Sequence, residues 1–106
     1  MIVVVGRVKT DGARREELLR VGQAVAAASR TEQGCLSYRL YEDTEADNEF
    51  LFVEEWESQE ALEGHFGTSH IAEFMQAVPA TLTDAPDVSF HTVASTVDLA
   101  QLRAST

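Results

Sequence analysis

The sequence predicts an α+β domain with the order strand, helix, strand, strand, helix, strand. Three observations predict it. Residues 2–9 and 49–55 are β-branched or aromatic runs with little polar alternation, the pattern of strands buried on both faces. Between them Leu18, Val21, Val25 and Ala28 recur at helical spacing. Ser58, with Glu60 two residues on, opens a second helical stretch, and a last apolar run at residues 88–93 closes the order.

Each element follows from its residues. Thr10-Asp11-Gly12 ends the first strand, and residues 13–30 form an amphipathic helix with an alanine-lined stripe, since Arg14, Arg15, Glu16, Arg20 and Gln23 fall largely elsewhere on the wheel. Gly34 supplies a turn. Residues 36–41 make the second strand, with Leu36, Tyr38 and Leu40 expected on one face. The acidic residues 42–48 hold no apolar anchor except Ala46 and form the loop of a hairpin with residues 49–55. The second helix starts at the N-cap Ser58, breaks at Gly64 or Gly67, and restarts at Ser69 with Ile71, Phe74, Met75 and Val78 as its inward stripe. Residues 80–87 are a loop, and residues 88–93 the fourth strand. Only Val97, Leu99 and Leu102 anchor the tail, which is expected to be frayed or docked on a neighbour.

This order is the ferredoxin-like βαββαβ arrangement, in which both helices cover one face of the sheet. An uncovered face of Phe and Val side chains would be a large exposed patch. The simplest cover is the same sheet of a second copy about a two-fold axis, so a homodimer closing into a dimeric α+β barrel is expected.

A chain of 106 residues fits one domain, expected at residues 1–94 with a tail at 95–106. The formal net charge of -10 repels phosphate backbones and anionic lipids, which argues against nucleic-acid and membrane-surface partners. The longest unbroken aliphatic or aromatic run is five residues, far below a spanning helix. Ile2-Val3-Val4-Val5 stands at the start with no basic leader, so a cytoplasmic protein is expected. The single Cys35 has no disulfide partner and reads as a small buried hydrophobe.

The phrase Glu32-x-Gly34-Cys35-x-x-Tyr38, then Glu54-x-Trp56 at the end of the third strand and Ala61-Leu62-x-x-His65 beyond it, carries more than a fold. With the element order, it resembles the antibiotic biosynthesis monooxygenase family over roughly residues 1–94. The resemblance implies a dimeric α+β barrel that oxidises aromatic polyketides or quinols with molecular oxygen, without flavin, haem or metal, in a pocket between each sheet and its own helices. The haem-degrading branch of this fold has an asparagine, a tryptophan and a histidine where this chain has Gly6 or Arg7, His65 and Met75. The resemblance therefore does not extend to haem degradation.

Oxygenation without a cofactor needs a base that makes the substrate an electron-rich anion in a water-poor pocket. Histidine suits that task near neutral pH, and the chain has His65, His70 and His91. His65 and His70 flank Phe66-Gly67-Thr68-Ser69, where a helix break lets both rings enter one cleft, so these two are the candidate catalytic residues. Tyr38, Phe52, Glu54, Trp56, Phe66, Phe74 and Met75 are the candidate substrate contacts, all of types also common in cores. Trp56 reads first as a core anchor whose indole N–H meets a backbone carbonyl. Glu54 shares a face with Phe52 and Trp56 and must be paired, with Arg7 or Arg39, or else protonated. His70 and Glu73 share a helical face, but two ligands define no metal site, and none is expected. An oxygen-independent isomerase or lyase, and a ligand-binding dimer module without activity, are the alternatives on the same scaffold.

Overall fold

The computed structural model describes residues 1–105. Four antiparallel strands, β1 (Ile2–Lys9), β2 (Cys35–Glu42), β3 (Glu49–Trp56) and β4 (Asp87–Thr92), form one sheet in the order β2-β3-β1-β4. Helices α1 (Arg15–Ser29), α2 (Gln59–Phe66) and α3 (Ser69–Ala77) cover one face, and a short helix α4 (Leu99–Ala104) follows β4. This is the ferredoxin-like order expected.

Register decides which residues reach the helices. Val4 pairs with Glu54 and Phe90, and Gly6 with Phe52 and Val88, so these even positions share the helix-covered face. Val3, Val5, Leu51 and Val53 take the other face and are half-buried, while Arg7 and Lys9 are exposed. In the single chain one face of these strands is buried and the other half-buried, and both phenylalanines of β3 belong to the helix face. A departure lies in β2, where a bulge between Cys35 and Ser37 breaks the parity. Leu36, expected beside Tyr38 and Leu40, is left exposed.

The first helix begins with a 3-10 turn, Gly12–Arg14, before α1 proper. Leu18, Val21 and Val25 are buried as expected, joined by Gly22 and Ala26. A Cβ at Gly22 would lie 2.8 Å from Leu40 and 3.1 Å from Phe52, so α1 meets the sheet here with no room for a side chain. Cys35 is half-buried against the core, not fully within it.

Gly34 fixes the turn after α1. Its φ of +85° favours glycine, and a Cβ there would stand 2.5 Å from that of Ala61 on α2. The Gly34 carbonyl accepts from Glu57 N at 2.8 Å, locking the turn against the end of β3. Gly34→Ala is expected to destabilise by at least the ~1–2 kcal/mol of a left-handed alanine, and more as α2 is pushed off. A urea midpoint equal to wild type would show that the turn relaxes freely.

Ser58 caps α2 by accepting from Ala61 N, and Gly67, not Gly64, ends the helix. In α3 Ile71 is buried and Phe74 half-buried, but Met75 is 58% exposed. Within the tail expected at residues 95–106 the chain forms one more helix. An Asp98/Gln101 capping box winds it into α4, with Leu99 and Leu102 exposed, and Thr106 lies outside the described residues. No helix of the described residues is long and apolar enough to cross a membrane.

Candidate active site

A cavity of about 400 Å³ lies between the sheet and helices α2 and α3. Val4, Gly6, Val8, Tyr38, Phe52 and Glu54 form its floor, and His65, Phe66, Ile71, Phe74 and Met75 its roof. Val88, Phe90, Pro79 and Pro86 close the remaining side. A further cleft of about 360 Å³ at the opposite end of the sheet is lined by Arg7, Lys9, Glu42, Glu49 and other polar groups, with no histidine.

His65 is the polar feature of the roof. It is 1% exposed and packed at a tilt against Trp56, with ring centroids 4.7 Å apart, and against Tyr38 at 5.7 Å. Its Nδ1–H donates to Glu32 Oε2 at 2.7 Å, and His70 Nε2–H donates to the same oxygen at 2.7 Å. A carboxylate accepting from Nδ1 fixes the tautomer and leaves Nε2 as the ring atom for a cavity occupant. The expected break between the histidines is real. Thr68 Oγ1 donates to the His65 carbonyl at 2.7 Å and accepts from Ile71 N at 3.4 Å, so one hydroxyl joins the end of α2 to the start of α3.

The two rings therefore meet, but not in the cavity. His65 lines it; His70 does not, because its ring turns back to Glu32. Trp56 also stays outside. It pairs with Ile2 and Cys35 at the end of the sheet and is fully buried beneath His65, as a core anchor. Tyr38, Phe52, Glu54, Phe66, Phe74 and Met75 all line the cavity. His91 is exposed and bonded to Ser89 on the far face.

Glu54 has neither expected arginine. Arg7 pairs with Leu51 and Arg39 with Val53, which puts both on the other face of the sheet. Its partner is the Trp56 indole N–H at 2.9 Å, which replaces the backbone carbonyl expected for that donor, together with the Tyr38 hydroxyl. Burial pushes Glu54 above the ordinary carboxylate range, against the opposing pull of the Trp56 bond, His65 and Tyr38. Burial and the Glu54 charge raise the Tyr38 phenol, keeping it a neutral donor.

A carboxyl raised in the fold stabilises it fully below its ordinary 4.5 and loses that contribution as pH rises through the folded value. Glu54→Gln keeps the shape and the acceptor for Trp56. Urea melts across a pH series are expected to show wild type losing stability relative to Glu54→Gln above pH 4.5. Parallel curves would contradict an ionisation cost at this position.

Reading the chain alone missed Glu32, Val88 and Phe90. The alternation of β4 was a usable signal for the last two; Glu32 comes from a turn far from both histidines in sequence.

Fold and cavity together define a small ferredoxin-like domain with an apolar site beneath its helices and a carboxylate-held histidine in the roof. The chain belongs to the antibiotic biosynthesis monooxygenase family, whose sequence model matches residues 1–77. It is 38% identical over 98 residues to the uncharacterized protein sll1783 of Synechocystis, covering 92% of this chain and 67% of that one. With the putative monooxygenase YcnE of Bacillus subtilis it shares 32% identity over 88 residues, 83% of this chain and 93% of YcnE. The solved structure of Rv0793 from Mycobacterium tuberculosis superposes with a TM-score of 0.85 at 27% identity, covering 92% of this chain and 98% of that one.

Proposed function

We propose that this protein is a cofactor-free monooxygenase for a flat aromatic substrate of quinol or anthrone type. The observation that carries the reading is His65, buried in the wall of an apolar cavity with Nδ1–H held by Glu32. In this reading Nε2 takes a proton from the activated C–H or O–H of the bound substrate. The Glu32 carboxylate stabilises the imidazolium so formed. For an anthrone, the resulting anion passes one electron to oxygen, the two radicals combine to a peroxide, and the His65 proton returns to it. Loss of water leaves a carbonyl, so one substrate and one O₂ give one quinone and one H₂O. The apolar walls Phe52, Phe66 and Phe74 flank the ring and exclude water.

The working unit in this reading is a homodimer, its sheets meeting through the face that carries Val3, Val5, Leu51 and Val53. In this reading the reaction takes place in the cytoplasm.

The test is oxygen uptake by the purified protein with menadiol and with an anthrone, beside the spontaneous rate. Uptake matched by carbonyl product supports the reading. Product that forms equally without oxygen points to an isomerase or lyase, and ligand binding without turnover to a binding module; either result overturns it.

A further inference from the structure

Glu32, His65 and His70 offer a second chemistry. One ligand atom from each residue lies within 4.8 Å of the others, and Glu32 Oε2 stands 2.7 Å from both His65 Nδ1 and His70 Nε2. The three residues come from a turn and two helices, so the cluster is set by tertiary packing rather than by one helical face. We propose that this trio is a binding site for a zinc-class divalent transition metal, competing with the hydrogen bonds that now join the three residues.

The donor set favours that ion class. Two imidazole nitrogens and one carboxylate oxygen suit zinc, cobalt or copper, whereas calcium and magnesium take oxygen ligands. Three protein ligands leave a fourth position open, the arrangement of reactive zinc sites. The oxygen stands 2.7 Å from each nitrogen, so small outward rotations of the side chains admit an ion about 2.0–2.2 Å from each donor. Access runs past His70, whose side chain is 23% exposed, while His65 is fixed at the inner end by Trp56 and Tyr38.

Occupancy changes the tautomer of His65. While Glu32 accepts the Nδ1 proton, Nε2 presents a lone pair to the cavity. A metal on Nδ1 moves the proton of the neutral ring to Nε2, and the base becomes a donor. The metal is thereby an off switch for the oxidation; this consequence alone rests on His65 being the base, and the binding site does not.

The test titrates the EDTA-stripped, buffer-exchanged protein with Co²⁺, followed by visible absorption, with Zn²⁺ as competitor. A saturable band at one Co²⁺ per chain, displaced by Zn²⁺, is expected. Glu32→Gln and His70→Ala should each weaken Co²⁺ binding at least tenfold, since loss of even an outer-shell partner lowers metal affinity about 10–100-fold. Both side chains are partly exposed, and either variant that folds by circular dichroism suffices. No saturable band, or the same affinity in wild type and the folded variant, overturns the site. Because the band reads occupancy without turnover, a protein that binds Co²⁺ but consumes no oxygen retains the metal site and loses only the monooxygenase reading.

Discussion

Replacing His65 with glutamine is expected to lower oxygen uptake on an anthrone by about 10²–10⁴-fold, the range a positioned general base contributes. Glutamine keeps a polar side chain of similar length in a buried position and so separates loss of the base from loss of the wall. The ring is 1% exposed between Trp56 and Tyr38, so alanine would open a void and confuse the two effects. Glu32→Gln should give a smaller loss, because it keeps an oxygen near Nδ1 but no longer balances an imidazolium. Steady-state oxygen uptake at saturating substrate is the measurement. A His65→Gln rate within threefold of wild type would mean that the proton goes elsewhere, and Glu54 is then the next group in the cavity to replace.

Trp56→Ala is expected to be the most destabilising single change in the core, by about 3–5 kcal/mol for the lost side chain and its cavity. The indole is fully buried and also donates the hydrogen bond that holds the Glu54 carboxylate. Removing one of the two donors on this buried carboxylate, with Tyr38 left as the other, adds about 1–3 kcal/mol. Against a total stability of about 5–15 kcal/mol, the sum threatens the fold itself. Trp56→Phe isolates the second part, since it keeps an aromatic against His65 but removes the donor. Urea denaturation of both variants measures the two contributions, and a loss below about 1 kcal/mol for Trp56→Ala would refute the anchor role.

The fold was legible wherever local pattern and tertiary outcome agree. The valine run of β1, the stripe of α1 and the Ser58 cap each point to one local structure, and each formed. The Leu36 bulge was not legible, because an extra residue in one strand depends on what its partner strand offers, here Trp56 and Glu55. Glu54 is a subtler case. Its shared parity with Trp56 was readable, yet only the register with β1 and β2 shows that Arg7 and Arg39 lie across the sheet.

The site divided in the same way. That the histidines flank a helix break was visible in Gly67 and Ser69; that they converge on Glu32 was not. That convergence needs α2 seated on the bare backbone of Gly34, a contact between residues far apart in the chain. Phe90 joined the cavity through the pairing of β4 with β1, and its ring meets Phe66 at 6.3 Å.

The cavity is graded from its depth to its rim. Tyr38, Glu54 and His65 sit at the closed end under tight packing, whereas Met75, Phe66 and Phe90 are about half exposed at the mouth. Methionine adapts its shape to what it touches. Under the proposed monooxygenase reading, substrate choice should therefore divide by position along the molecule: strict for the ring placed against His65, permissive for the substituents that trail past Met75. A series of anthrones differing only at the distal edge would be turned over at similar rates, while a single methyl on the reacting ring would stop the enzyme.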